Sequence, residues 1–347
     1  MNNPWCSVII PAYNCKDTIE RLLTSIVIQE DNDIEVIICD DWSTDNFMKK
    51  VEPYKKNLNI IYCKTKPREI HCPSNTRLDG WKYAKGEWIT FIDNDDMFEP
   101  KAFFNIKCAL ESSKEKHVIF SEIVGYDTTQ NKVVKLIRNP PISLCHGHWY
   151  NRQWLIDEGI DFKENMTSYE DIYFNNLVVS VLHSQAKNIT IVSNRTYRWM
   201  LRDGSISDAY RKDKRKFAEE QFSNYNLSIY DPWINSYKKY HPKHKDQSFK
   251  MLCCVILHLY FHSQYIAFVD KTKEIKPKIF NIIKDDILGI CETYGCTIQD
   301  INNYIYNDTK LYFDSRDEVV AEFDKFIETT TLYDLLNSIS SQLDNNI

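Results

Sequence analysis

The sequence predicts an α/β fold with a mostly parallel central sheet and helices on both faces, followed by an α-helical C-terminal domain. Two observations predict it. Short apolar runs alternate with segments of helical periodicity over residues 1–100, a pattern typical of parallel sheets. Beyond residue 210 the apolar residues recur at helical spacing only. We therefore expect an α/β domain at 1–210 and a helical domain at 211–347.

Four apolar runs in the α/β domain predict its first strands. They are rich in β-branched and aromatic residues, and each ends at a proline, a polar residue or an acidic cluster. The predicted strands are 6–10, 35–39, 59–63 and 88–92, and the predicted helices between them are 17–29 and 74–84. In such sheets ligands bind outside the carboxyl ends of the strands. The residues that directly follow these runs are therefore candidates for a binding site.

Three carboxylates follow the fourth predicted strand within four positions, at Asp93, Asp95 and Asp96. Clustered like charges at the end of a buried strand are costly unless a cation lies among them. Carboxylate oxygens suit Mg²⁺ or Mn²⁺, and alternation along an extended backbone puts Asp93 and Asp95 on the same side. The sequence thus predicts a Mn²⁺ or Mg²⁺ site, with a solvated acidic turn as the alternative.

An aromatic ring and a carboxylate follow the first two predicted strands, at Tyr13 and Asp41. A ring can stack on a nucleobase and a carboxylate can accept a base N–H. A cation at Asp95 would bind a diphosphate, to which Arg77 could add a charge-assisted contact. The chain contains no glycine-rich phosphate loop, so phosphate binding through a metal is favoured over a P-loop or a dinucleotide fold.

Three stretches together resemble family 2 glycosyltransferases of the GT-A fold: SVIIPAYN at 7–14, VIICDDWSTD at 36–45 and AKGEWITFIDNDD at 84–96. The resemblance implies a UDP-sugar donor, a donor-binding half at 1–105 and an acceptor half at 106–210. It also implies a D-x-D motif at 93–95, with Asp95 as the direct metal ligand. The donor-binding residues that it implies in these stretches and nearby are Pro11, Ala12, Tyr13, Asn14, Asp41, Arg77, Asp93 and Asn94.

Two neighbouring acids, Glu170 and Asp171, precede an apolar helix. Acids in a first turn are favoured by the helix dipole alone. The resemblance implies instead a carboxylate that serves as the base of an inverting transfer, in which an acceptor hydroxyl must lose its proton. Because neighbouring side chains point in different directions, one of the two faces the sugar, and we favour Asp171.

Two further stretches carry candidate residues. Cys145, His146 and His148 suggest zinc, but their spacing matches no closed zinc site, so we expect His146, His148 and Trp149 near an acceptor pocket. The segment 197–207 resembles one that closes over the donor's diphosphate, which implies phosphate contacts from Arg202 and Ser205; a solvated basic turn is the alternative.

Composition limits the class of protein. A net charge of −6 disfavours a protein built mainly to bind nucleic acid. The 11 cysteines show no framework spacing, and no signal peptide is evident, which favours a cytoplasmic protein with reduced thiols. The apolar segment 250–269 is interrupted by polar residues, which favours a buried helix over a transmembrane segment. Peripheral membrane contact and a homo-oligomer formed through the C-terminal helices stay open.

The sequence therefore predicts a metal-dependent, inverting hexosyltransferase that uses a UDP-sugar and a glycan, polymer or other hydroxyl acceptor. One alternative keeps the fold but takes a polyanionic acceptor, either a teichoic-type polymer or modified DNA, because basic runs occur at 211–216 and 238–245. The other is a catalytically silent nucleotide-sugar-binding protein, which fold analogy does not separate from an enzyme.

Overall fold

The computed structural model describes residues 3–113, 117–137, 145–185, 187, 189–202, 228, 231–240, 243 and 297. The chain divides into two compact units, Met1–Ser236 and Tyr237–Ile347. Nearly all described residues belong to the first unit. The helices predicted beyond residue 250, and the oligomer contact expected of them, lie outside the described residues.

The described elements alternate between strand and helix, as predicted for the first hundred residues. The strands are β1 (Cys6–Ala12), β2 (Ile34–Asp40), β3 (Ile60–Lys64), β4 (Trp88–Phe91), β5 (Met97–Phe98), β6 (Val118–Asp127), β7 (Lys132–Ile137), β8 (His148–Asn151) and β9 (Thr190–Leu201). The α-helices are α1 (Ile19–Val27), α2 (Met48–Val51), α3 (Pro73–Gly80), α4 (Ala102–Ser112), α5 (Arg152–Glu158) and α6 (Glu170–Ser184). Short 3₁₀ helices lie at Glu52–Lys56 and Trp81–Tyr83, and residues 231–240 are helical.

One sheet joins these strands in the order β3-β2-β1-β4-β8-β6-β9-β5, with β7 paired to β6. The first four strands are parallel, as predicted. Beyond β4 the sheet is mixed, because β8 runs antiparallel to β4 and β6, and β5 runs antiparallel to β9. The expectation of a mostly parallel sheet is therefore right for the first half and wrong for the second. β5, with two residues, is too short for a hydrophobic pattern to indicate.

Helices cover both faces of the parallel strands. Val8 of β1 packs with Leu22 of α1 in one apolar cluster. Ile9 faces the opposite side, toward α3, where a Cβ on Gly80 would lie 3.3 Å from Ile9 Cγ2 and 2.9 Å from Cys39 Cβ. Glycine at position 80 thus allows α3 to approach the sheet closely. Burial of both faces explains why these strands are continuous apolar runs.

Within the part of the chain that the structure describes, no helix combines the length and apolar character needed to cross a membrane.

Candidate active site

The loops that follow β1, β2 and β4 meet at one edge of the sheet. β1 pairs in parallel with both β2 and β4, so the three carboxyl ends point the same way. The Asp41 amide donates to Ala12 O at 2.8 Å, and Asn94 Nδ2 donates to Pro11 O at 3.0 Å. The residues expected at these strand ends therefore lie together.

Several residues that we expected to contact a donor bond instead to the protein and shape these loops. Pro11 and Ala12 are buried in β1, and their carbonyl oxygens accept the bonds just described. Asn14 has a φ of 45°, and its Oδ1 accepts a bond from Thr44 N at 2.9 Å. The side-chain amide of Asn94 donates to the backbone of β1. These bonds fix the loops, and contact of these residues with a donor stays a prediction.

Tyr13 and Asp41 form an open end of the site. Tyr13 is 58% exposed, so its ring is available for stacking on a flat ligand. Asp41 is buried, and its Oδ1 accepts Thr65 Oγ1 at 2.8 Å and lies 3.1 Å from His71 Nδ1. Among the described residues its second oxygen, Oδ2, has no partner. A spare acceptor near an exposed ring fits the predicted nucleobase site.

Asp93, Asp95 and Asp96 form the one group of three or more potential metal-ligating side chains within the described ranges, with ligand atoms within 4.8 Å of one another. Asp96 is buried, and its carboxylate accepts bonds from Met200 N at 2.8 Å and from Tyr197 OH. Burial, together with the charges of Asp95 and Asp93, raises the pKa of Asp96 well above its usual value. Asp96 is thus tied into the fold and is the least suited of the three to hold a cation.

Asp95 is the carboxylate best suited to a cation. Its Oδ2 accepts Arg202 Nε at 2.8 Å, while its Oδ1 has no partner in the described part of the chain. Arg202 therefore reaches the acid cluster, and its contact with a diphosphate stays a prediction. Ser205, the other residue expected there, lies outside the described residues.

Arg77 corrects a sequence-based expectation, since it is not placed to contact a donor. Its side chain is only 1% exposed and lies between two carboxylates. Nη1 donates to Glu170 Oε1 at 2.6 Å and Nη2 donates to Asp93 Oδ1 at 2.5 Å. Although burial favours the neutral form, these two charges outweigh it and hold the pKa of Arg77 well above its usual value. The Arg77 side chain extends from α3 into the protein interior toward α6, and not outward toward a ligand.

His146 links the acid cluster to the start of α6. Its Nε2 lies 3.1 Å from Asp93 Oδ2, and its Nδ1 lies 3.7 Å from Asp171 Oδ2. Glu170, Arg77, Asp93, His146 and Asp171 therefore form one continuous chain of charged contacts. Glu170 stands at the end held by Arg77, and Asp171 stands at the end held by His146.

Three pKa values in this chain of contacts are shifted, and that of Asp171 moves toward neutral pH. Burial and the charge of Glu170 raise the pKa of Asp171 to about 6, although His146 and Arg77 oppose the shift. Burial lowers the pKa of His146, but Asp93 and Asp171 outweigh it and raise the pKa to about 9. Burial would raise the pKa of Asp93, but Arg77 and His146 outweigh it and lower the pKa. A carboxylate with a pKa near 6 can exchange a proton at neutral pH.

His148 and Trp149 correct a second expectation, because neither can line an acceptor pocket. Both are fully buried on β8. His148 stacks on Phe120 at 3.7 Å between ring centroids, and burial lowers its pKa to about 3. Trp149 stacks on Trp5 at 5.6 Å. These rings support the sheet beneath the site, whereas His146 lies within it.

Sequence reasoning missed some residues that complete the site. Thr65 and His71 hold Asp41, and Tyr197 holds Asp96. Thr65 directly follows β3, so the rule that implicated the other strand ends would also have found it. His71 and Tyr197 carry no such signal, because only the tertiary fold brings them to the acids.

A parallel half-sheet with an acid cluster at its strand ends defines a GT-A-like fold, and comparison with solved structures supports this class. TarS 1–349 of Staphylococcus aureus, in its complex with UDP-GlcNAc, aligns with a TM-score of 0.62 and 22% identity, over 81% of this chain and 80% of that one. Its complex with UDP aligns with a TM-score of 0.60. At this identity the likeness concerns the fold.

Sequence comparison gives a family match for part of the chain. Residues 7–160 match the model of glycosyl transferase family 2. An uncharacterized glycosyltransferase of Mycoplasma genitalium is 37% identical over 119 residues, 33% of this chain and 40% of the relative. The poly(ribitol-phosphate) β-N-acetylglucosaminyltransferase TarS of S. aureus is 29% identical over 222 residues, 59% of this chain and 37% of the relative. The match thus spans about two fifths of these relatives.

Proposed function

We propose that this chain transfers a hexose from a UDP-sugar to an acceptor hydroxyl, with inversion at the anomeric carbon. One observation carries the proposal: a single chain of contacts, through Asp93 and His146, joins the acid cluster to Asp171. Groups suited to activate a donor and a group suited to activate an acceptor therefore share one site. That combination is what a glycosyl transfer needs.

The nucleotide end is formed by Tyr13 and Asp41. The free Oδ2 of Asp41 would accept the N–H of a uracil ring, and the exposed ring of Tyr13 would stack on its face. Thr65 Oγ1 donates to Oδ1, the other oxygen of this carboxylate, at 2.8 Å and thereby fixes the orientation of Oδ2. Relatives that are named as UDP-Glc or N-acetylglucosamine transferases support a nucleotide-sugar donor.

Asp95, with Asp93, would hold Mn²⁺ or Mg²⁺. The donor set fits, because carboxylate oxygens suit hard cations and Asp95 Oδ1 has no partner among the residues that the structure describes. When bound, such a cation supplies positive charge that makes the diphosphate a better leaving group. Arg202, 2.8 Å from Asp95 Oδ2, contributes a second positive charge at the same place.

Asp171 is our candidate base, in preference to Glu170. Glu170 is buried and accepts a bond from the buried Arg77 at 2.6 Å, so its carboxylate is already engaged by this guanidinium. Asp171 is raised in pKa to about 6, which gives it the basicity to accept a proton while it remains largely ionised at pH 7.

The reaction then follows directly. The acceptor hydroxyl gives its proton to Asp171 as its oxygen forms a bond to the anomeric carbon. The bond from that carbon to the diphosphate oxygen breaks, and its electron pair leaves with UDP. Attack on the face opposite the leaving group inverts the configuration, and the proton stays on Asp171 until solvent removes it.

For the acceptor, our second proposal is a polyol-phosphate polymer of the teichoic type. It is supported by the names of relatives that act on poly(ribitol-phosphate). The basic runs at 211–216 and 238–245, which first suggested a polyanion, lie mostly outside the described residues. Modified DNA has no such support, and the net charge of −6 disfavours it.

A donor panel tests the proposal. UDP and GDP release would be measured from UDP-sugars and GDP-sugars with Mn²⁺, with poly(ribitol phosphate) and with simple glycosides as acceptors. We expect UDP release from one or a few UDP-sugars that depends on the acceptor. A chain that UDP protects against heating, yet that releases no UDP from any donor, would be a catalytically silent nucleotide-sugar-binding protein.

A further inference from the structure

We infer that His146 is a positioning residue, which holds the base Asp171 in a fixed relation to the donor-side carboxylate Asp93. The inference rests on the function proposed above and gives His146 a role in it through its two carboxylate contacts. His146 lies on the short segment before β8 and bridges two elements that are far apart in the chain, the loop after β4 and the first turn of α6.

The two contacts of His146 differ in kind. The 3.1 Å contact to Asp93 is within hydrogen-bonding distance, whereas the 3.7 Å contact to Asp171 is an ion-pair distance and not a hydrogen bond. Asp93 therefore anchors the ring, and the ring places its Nδ1 beside the Asp171 carboxylate. Because the second contact is not a hydrogen bond, Asp171 Oδ2 stays available to accept the proton of an acceptor hydroxyl.

The backbone next to His146 is fixed on both sides. His146 forms an isolated parallel bridge with Phe91, at the end of β4. The carbonyl of Gly147 accepts bonds from Ser121 N at 3.1 Å and from Ser121 Oγ at 2.6 Å. Gly147 has a φ of +69°, and a Cβ there would lie 3.0 Å from Ile123 Cγ1, so glycine is required for this turn. The ring is therefore held in place by the fold and not only by the carboxylates.

His146 is the basic side chain next to the Asp171 carboxylate. Across the residues that the structure describes, His146 is the only basic side chain within ion-pair distance of that carboxylate. Arg77, the other buried cation, pairs with Glu170 and Asp93 instead. Loss of the His146 ring would leave Asp171 beside Glu170 with no ion-pair partner, and only the bond from Ile172 N to Oδ1, at 2.8 Å, would still orient its carboxylate.

Kinetics of His146→Ala and His146→Gln test this role, with His183→Ala as a matched control on the same helix as Asp171. We expect His146→Ala to lower kcat for transfer by about 10- to 100-fold, the usual effect of losing an outer-shell partner, while the donor KM and the melting temperature stay at their wild-type values. Glutamine, whose amide can still donate to one carboxylate, should recover part of kcat, and added imidazole should rescue the alanine variant. His183→Ala should behave as wild type.

A double variant sharpens the test. If His146 acts through Asp171, adding His146→Ala to Asp171→Asn should cause no further loss of kcat. Independent, multiplicative losses would overturn the inference, as would an alanine variant that loses donor binding in proportion to kcat, or one that keeps wild-type kcat. If wild-type protein releases no UDP from any donor, the proposed function fails and the positioning role fails with it; an active wild type with an unaffected His146→Ala overturns the positioning role alone.

Discussion

Arg77 donates to Glu170 at 2.6 Å in a part of the protein that solvent hardly reaches. The two residues lie 93 positions apart, on α3 and at the first position of α6. Because the same guanidinium also bonds Asp93, the pair joins the donor side of the sheet to the helix that carries the candidate base. Glu170 is thereby a structural carboxylate, although it stands next to Asp171 in the sequence.

Arg77→Met should destabilise the protein strongly. Removal of one partner from a buried ion pair leaves uncompensated charge and costs about 3–5 kcal/mol; here two carboxylates would lose their common partner. Urea unfolding without any nucleotide measures the loss. Arg77→Lys should lose less, because it keeps the charge but not the two-sided hydrogen bonding. Wild-type stability in Arg77→Met, with weaker donor binding alone, would show that Arg77 contacts the donor after all.

Asp171→Asn should retain donor binding and lose transfer by about 10²- to 10⁴-fold, the usual contribution of a general base. Calorimetric titration with UDP and initial rates of transfer separate the two effects. Glu170→Gln is the matched neighbour: we expect reduced stability from the weakened bond to Arg77 and a much smaller loss of rate. If Glu170→Gln abolishes transfer while Asp171→Asn does not, we have chosen the wrong carboxylate.

The rate of transfer should rise with pH and then level off. The pKa of Asp171 is about 6 in the folded protein, against an ordinary value of 3.8, and only the ionised form accepts a proton. The profile of kcat/KM should therefore climb through about pH 6. By linkage, the same shift favours the folded state at low pH, and this contribution is lost as pH rises from about 3.8 to 6. A rate that levels off by pH 4, or an Asp171→Asn variant that keeps the wild-type profile, would contradict the assignment.

Asp41→Ala should weaken nucleotide binding without changing the chemical step. Loss of a hydrogen bond between a carboxylate and a base N–H costs about 1.5–3 kcal/mol, or roughly 10- to 100-fold in KM for the donor. His71→Ala, which removes a neighbour of Asp41 Oδ1, should have a weaker effect in the same direction. Donor KM and kcat measured for both variants check this, and a loss in kcat with unchanged KM would argue against a nucleobase site.

The sequence predicted best those features whose local hydrophobic pattern follows directly from their place in the fold. The strands β1 to β4 could be predicted because both of their faces are buried, which makes them continuous apolar runs. Asp41, Asp93 and Asp95 could be placed together because carboxyl ends of parallel strands share an edge. The mixed second half of the sheet could not be predicted in the same way, because strand direction there depends on pairing between segments far apart in the chain.

The roles of individual side chains were harder to predict, because they depend on contacts between distant elements. Nothing local distinguishes Arg77 as a buried residue; that follows from α6 packing against α3. His146 and His148 look alike in the sequence, yet the positive φ of Gly147 between them sends one to the acids and the other into the core. Burial of a polar side chain is a property of the tertiary fold.

The dependence of UDP release on Mn²⁺ tests most directly the claim that carboxylates from distant parts of the chain serve one cation. The wild type, Asp95→Ala and Asp33→Ala would be compared in rising Mn²⁺ and then with EDTA. Asp33 directly precedes β2 and therefore stands at the opposite edge of the sheet from the site. We expect saturable Mn²⁺ dependence and complete loss with EDTA for the wild type and Asp33→Ala, and no metal-dependent release for Asp95→Ala. Undiminished release by Asp95→Ala, or wild-type release that EDTA does not affect, would contradict the account.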